Sequence, residues 1–230
     1  MPRPVRIVLV GLVLAALASG VTGCSSDVGA VLPPGTRAGA ARVAGPRVVV
    51  IGDSITIGHG LRRDQAWPEL LAAADRLRLT DLGCDGAGVL AEGSDECSAT
   101  DEELAEQAAA LHPDVVVLQA SSNDLGQDDD ELAGASEQLV AEVHRLLPRA
   151  RIVGISAVWD QDAPPAQLGT ISTVLRTAVT GIGGAWLDLG QPFRGHPAWM
   201  QSDDVHPTAR GQRALLAAVT GALRRDHLRW

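Results

Sequence analysis

The chain has 230 residues, 46% of them hydrophobic, which suffices for one sizeable core plus a tail. Its net charge is −9, which disfavours nucleic acid as a partner. It contains no Lys, so a Walker-type phosphate loop and Lys-dependent Schiff-base or Ser-Lys chemistry are excluded.

Residues 1–23 read as a secretory signal: Arg3 and Arg6 open it, and Ile7 to Ala18 forms an apolar run too short to span a bilayer comfortably. Val21-Thr22-Gly23-Cys24 resembles a bacterial lipoprotein processing site, which implies cleavage before Cys24 and lipid attachment to it. The alternative is an ordinary secretory signal and a secreted protein. Residues 24–46, rich in Gly, Ala, Ser and Pro, predict a flexible tether, and residues 47–230 the folded domain.

Val48-Val49-Val50-Ile51 predicts a buried strand, and Gly52 permits a sharp bend into Asp53-Ser54 at a helix start. A serine there suits a nucleophile; the alternative is that Asp53 or Ser54 merely caps the helix. A helix follows from about Pro68, then a strand over Leu77–Leu82 leading into the glycine-rich Gly83-Cys84-Asp85-Gly86-Ala87-Gly88. That order is not the dinucleotide fingerprint. Thr100 to Glu103 forms a capping box for a helix to about Leu111. Val115–Gln119 predicts the third strand, ending in Ala120-Ser121-Ser122-Asn123-Asp124. The acids of Asp128 to Glu131 open a long helix to Leu147. Strands over Arg151–Ser156 and Trp186–Leu189 enclose a helix over Ala166–Thr180, and a last helix runs from about Thr208 to Arg224. Alternating strands and helices predict an α/β fold, with a parallel sheet covered on both faces. Ser54, Gly86, Asn123, Asp203 and His206 all follow strands, so all converge on one edge of that sheet.

In order and spacing these residues resemble the SGNH, or GDSL, serine esterases and lipases. Gly52-Asp53-Ser54-Ile55, Asp81 to Gly86, Ser121 to Asp124 and Asp203-Asp204-Val205-His206-Pro207 correspond to its four motif blocks. Ser121 replaces the usual glycine of the third block, and Asp81 stands where asparagine is common in the second. The resemblance implies a flavodoxin-like three-layer sandwich with a five-stranded parallel sheet in the order 2-1-3-4-5. It also implies Ser54 as nucleophile, His206 as base, Asp203 as the orienting acid, and an oxyanion hole of Ser54, Gly86 and Asn123. Asp204 is the alternative acid. Neither a cofactor nor a metal is expected.

The expected activity is extracytoplasmic hydrolysis of carboxylesters of glycans or lipids, by a monomer held at the membrane and facing outward. An O-acyltransferase and a non-catalytic binding lipoprotein are the alternatives. With Cys24 lipidated, Cys84 and Cys97 remain as a pair, and an oxidising compartment permits a disulfide between them; the alternative is two buried free thiols. The loops that could build an acyl channel, 88–99, 157–165 and 190–207, are mostly small and polar, which predicts short acyl chains. Trp67 reads as core, Trp159 and Trp199 as possible pocket residues. His59, His112, His144, His196 and His227 read as surface or cap positions.

Overall fold

The computed structural model describes residues 45–94 and 97–230. The expected signal, Cys24 and nearly all of the tether lie outside the described residues. Five strands, β1 (Arg47–Ile51), β2 (Arg78–Asp81), β3 (Val115–Gln119), β4 (Arg151–Ile155) and β5 (Ala185–Leu187), form one parallel sheet in the order β2-β1-β3-β4-β5. This is the expected order. The helices are α1 (Ser54–Ile57), α2 (Trp67–Asp75), α3 (Asp101–Ala110), α4 (Asp129–Leu146), α5 (Ala166–Gly181) and α6 (Ala209–Arg225).

Strand alternation explains the three layers. Val48, Val50, Val115 and Val117 face one side and pack with Trp67 and Leu71 of α2 and Leu215 and Val219 of α6. Val49, Ile51, Val116 and Leu118 face the other and pack with Leu104, Leu139, Val143 and Leu175 of α3, α4 and α5. Each such side chain is worth about 1.5–3 kcal/mol when fully buried, so the central strands hold the sheet firmly. Trp67 is fully buried, as expected of a core residue.

The helix starts obey local chemistry. Thr100 and Glu103 form the capping box of α3, and Asp128 accepts from the N–H groups of Asp130 and Glu131 at the start of α4. Thr208 accepts from Gly211 N to open α6. Local contacts also set where elements end, and β5 is shorter than its expected span. The helix α1 lasts one turn because Gly58, at φ 74°, closes it in the left-handed conformation. The strand β5 stops at Leu187 because Leu189 N donates to the Ser156 hydroxyl instead of continuing the ladder.

Candidate active site

The site is built at the C-terminal edge of β1, β2 and β3. The bend after β1 needs Gly52, where a Cβ would lie 2.3 Å from Thr56 Oγ1. Asp53 takes the capping role: its Oδ1 accepts from Ile55 N at 2.9 Å and Thr56 N at 3.4 Å. Ser54 is thereby left out of the cap, at the first position of α1, with 8% of its surface exposed. The other Asp53 oxygen accepts from the Ser121 hydroxyl at 2.7 Å. Burial pushes Asp53 above the usual carboxylate range, while Ser121 and the two N–H groups oppose that rise.

The glycine-rich turn after β2 lies beside this bend, tied by Cys84 N to Gly52 O at 2.9 Å. Gly86 adopts φ 81°, a conformation that side chains other than glycine's rarely tolerate. Cys84 and Cys97 are joined by a disulfide, with Cα atoms 5.9 Å apart, closing the loop that carries Gly86. From β3, Asn123 donates through Nδ2 to Ala87 O at 2.9 Å, which brings its amide against the same turn and leaves its second N–H without a partner among the described residues. Asn123 N donates to the Ser121 hydroxyl at 3.1 Å. Ser121 therefore links the Asp53 cap to the Asn123 turn, and its extended backbone needs no glycine.

Asp124 is fully buried and accepts from Val89, Leu90 and Ala91 N at 2.8, 2.9 and 3.0 Å. Gly88 makes room for it, since a Cβ there would lie 2.5 Å from the carboxylate. Asp101 is buried nearby. Desolvation, then the charges of Asp124 and Asp53, raise its carboxyl well above the ordinary value.

The last component is the loop before α6. Asp203 Oδ2 lies 2.8 Å from His206 Nδ1, and Asp203 Oδ1 accepts from His206 N and Val205 N, each at 3.0 Å. The backbone N–H of His206, then its side chain, then Val205 N hold Asp203 well below the usual carboxylate range. An ionised carboxylate only accepts, so Nδ1 carries the proton and Nε2 of a neutral His206 is left as a base. Asp204 instead adopts φ 57° in the turn. No hydrogen bond among the described residues joins His206 to Ser54.

A sequence model of the GDSL-like lipase/acylhydrolase family matches residues 50–214, well over half of the chain. The chain belongs to this family. No curated protein matches the sequence. Three solved structures show the same fold. A psychrotrophic esterase from Pseudoalteromonas sp. is 14% identical with a TM-score of 0.62, over 79% of this chain and 98% of its own. A carbohydrate acetylesterase from Sinorhizobium meliloti is 15% identical with a TM-score of 0.61, over 78% and 99%. A family two carbohydrate esterase from Cellvibrio japonicus is 16% identical with a TM-score of 0.60, over 79% and 62%. This GDSL hydrolase is thus a serine esterase or lipase acting on ester bonds.

The sequence reading placed His59 at the surface without a role. It is exposed, but its ring stacks on His206 at 4.2 Å between centroids, and its Nδ1 lies 2.5 Å from Asp85 Oδ2. Asp85, Asp124 and Gln201 were likewise unassigned; the only sequence signal was their position inside or beside the four blocks. Trp159 packs partly against the core, and its backbone N–H donates to Gln191 Oε1. Trp199 is stacked against His196 at 3.7 Å, and the Arg210 guanidinium lies 5.7 Å from its ring.

Proposed function

We propose that this GDSL hydrolase cleaves short-chain acyl esters, of the O-acetyl kind, on glycans or lipids outside the cytoplasm, through an acyl-enzyme on Ser54. The Asp203–His206 hydrogen bond at 2.8 Å carries this reading, because it leaves Nε2 of His206 as the base at the sheet edge that holds Ser54.

Ser54 Oγ attacks the ester carbonyl while His206 Nε2 takes its proton. The oxyanion is received by the N–H groups of Ser54 and Gly86 and by the second Asn123 N–H; one such donor is typically worth about 3 kcal/mol. Collapse expels the alcohol, which leaves with the proton held by His206. Water then attacks the acyl-enzyme, gives a proton to His206, and releases the acid as Ser54 regains it. The contact between His206 and Ser54 tightens as substrate enters, as is common for catalytic hydrogen bonds. Asp203 stays ionised throughout and holds the imidazole. It is the orienting acid here because Asp204 sits in the turn.

The acyl chain is short in this reading. The connection 157–165 has no helix, and 190–207 has only the single turn Pro197–Trp199. Similarity in fold to the carbohydrate acetylesterase supports an acetylated glycan as the substrate class. Residues 1–23 as signal, Cys24 as lipid anchor and residues 24–46 as tether would hold the domain, a monomer in this reading, at the outer face of the membrane. A series of nitrophenyl esters from acetyl to palmitoyl, together with acetylated glycans, tests the substrate. The expected kcat/KM is highest for acetyl to butyryl chains. A value that keeps rising beyond octanoyl contradicts the reading.

A further inference from the structure

His206 has a carboxylate on one side and a second histidine on the other. Its Nδ1 edge is held by Asp203, and one face of its ring is covered by His59, with 4.2 Å between centroids and 27° between planes. An exposed histidine normally samples several rotamers at little cost. Two contacts hold this one, one on its ring and one on its backbone. Asp85 Oδ2 lies 2.5 Å from His59 Nδ1, and Gln201 Nε2 donates to the His59 carbonyl at 2.7 Å. Gln201 N in turn donates to the His206 carbonyl at 2.7 Å, so the two histidine segments are tied together twice. Gly60 is part of the fit, since a Cβ there would lie 2.7 Å from Gln201 Oε1. Asp85 directly precedes Gly86. The His59–Asp85 pair therefore connects the base to the oxyanion turn.

We propose that His59, anchored by Asp85, is a positioning residue that holds the His206 ring in its working orientation and keeps the Asp85 carboxylate paired. This rests on the reading of Ser54 and His206 given above. Stacking blocks rotation of the imidazole away from Ser54, and a small misplacement of a catalytic group is costly in rate. Among the described residues, the titratable groups around His206 are Asp203 and Asp204 on its own loop, His59 on the α1 turn, and Asp85 at the Nδ1 edge of the His59 ring, on the β2–α3 turn. Removing His59 opens the His206 face to water, frees the Asp85 carboxylate, and removes any positive charge on the neighbouring ring. All three changes favour the protonated form of His206, which cannot act as base. They act in the same direction, so the sign of the effect is determined.

The test compares kcat and KM for nitrophenyl acetate, across pH, in the wild type, His59→Ala and His59→Phe, with Ser54→Ala as control and thermal melting as the check on folding. In His59→Ala, kcat falls about tenfold or more while KM changes little. The acid limb of kcat/KM moves to higher pH. His59→Phe restores the stacked ring but not the charge or the Asp85 contact. It returns most of kcat and keeps the limb displaced upward. Unchanged kcat and an unchanged limb in His59→Ala overturn the proposal. So does a fall in kcat without a limb shift, or one that Phe does not restore, because either reduces His59 to a structural residue. Loss of folding in His59→Ala moves the decision to the Phe variant, whose unshifted limb overturns it equally. If Ser54→Ala stays active, the nucleophile reading itself has failed; if Ser54→Ala is inactive and the His59 variants behave as wild type, only this proposal has.

Discussion

The site has a floor and a rim, and each uses carboxylates differently. In the floor, Asp53, Asp101 and Asp124 are almost fully buried, and Asp53 and Asp124 accept from backbone N–H groups and a hydroxyl. At the rim, Asp85 and Asp203 are partly exposed and each meets a histidine. Floor carboxylates shape the chain, because a buried acceptor satisfies donors that water cannot reach. In the proposed mechanism, rim carboxylates orient rings whose protons must move. Changes in the floor should therefore register mainly in stability, and changes at the rim mainly in rate.

The largest effect is expected at the rim. Asp203→Asn keeps the size of the side chain and an acceptor for the backbone, but it no longer fixes the His206 tautomer. In the proposed mechanism kcat falls about 10³-fold or more, with the melting temperature close to wild type. Steady-state kinetics with calorimetry on the same samples checks this. A large fall in melting temperature with modest loss of rate would erase the distinction between rim and floor.

Asp124→Ala is the converse. It leaves three N–H groups of the 89–91 segment, one buried and two partly buried, without that acceptor, at a cost of about 3–5 kcal/mol in stability. Denaturant unfolding measures this. Activity should also decline, since the segment follows Gly86, and Asp124→Asn should lose less because one oxygen remains.

Asp81 gives the smallest effect and a clear sign. Its Oδ1 accepts from Gly83 N at 2.8 Å, but its Oδ2 is buried without a partner among the described residues. Desolvation lifts its carboxyl from 3.8 to about 6, while Gly83 N–H and Arg63 act to lower it and Glu69 to raise it. Between those values the folded protein keeps a proton that the unfolded chain releases, so this residue weakens the fold as pH rises through that window. Above it the penalty is constant. Asp81→Asn, which restores the residue common in the family, should gain about 1–2 kcal/mol at pH 7.5 and nothing near pH 3.5. Melting curves at the two pH values decide; an equal gain at both would assign the effect to packing.

The parts legible in sequence are those set by short range. Four β-branched residues before Gly52 mark β1, and the three-residue spacing of Asp203 and His206 alone brings carboxylate to imidazole. The capping box of α3 and the acidic start of α4 were legible for the same reason. What was not legible spans the chain: Ser121 with Asp53, Asp124 with residues 89–91, and His59 with both Asp85 and His206. Those contacts depend on how loops from different strands meet above the sheet, and periodicity carries no information about loop meetings. Ser121 shows this best. As a departure from the family's glycine it looked like a local backbone change, whereas its hydroxyl joins two turns.

The central claim is that Ser54 carries the acyl group. Incubating the protein with a nitrophenyl phosphonate ester and mapping the adduct by peptide mass spectrometry tests it directly. The account predicts one adduct, on Ser54, formed in step with complete loss of esterase activity and much more slowly in His206→Ala. An adduct on another serine, or full activity in protein fully modified at Ser54, would contradict it.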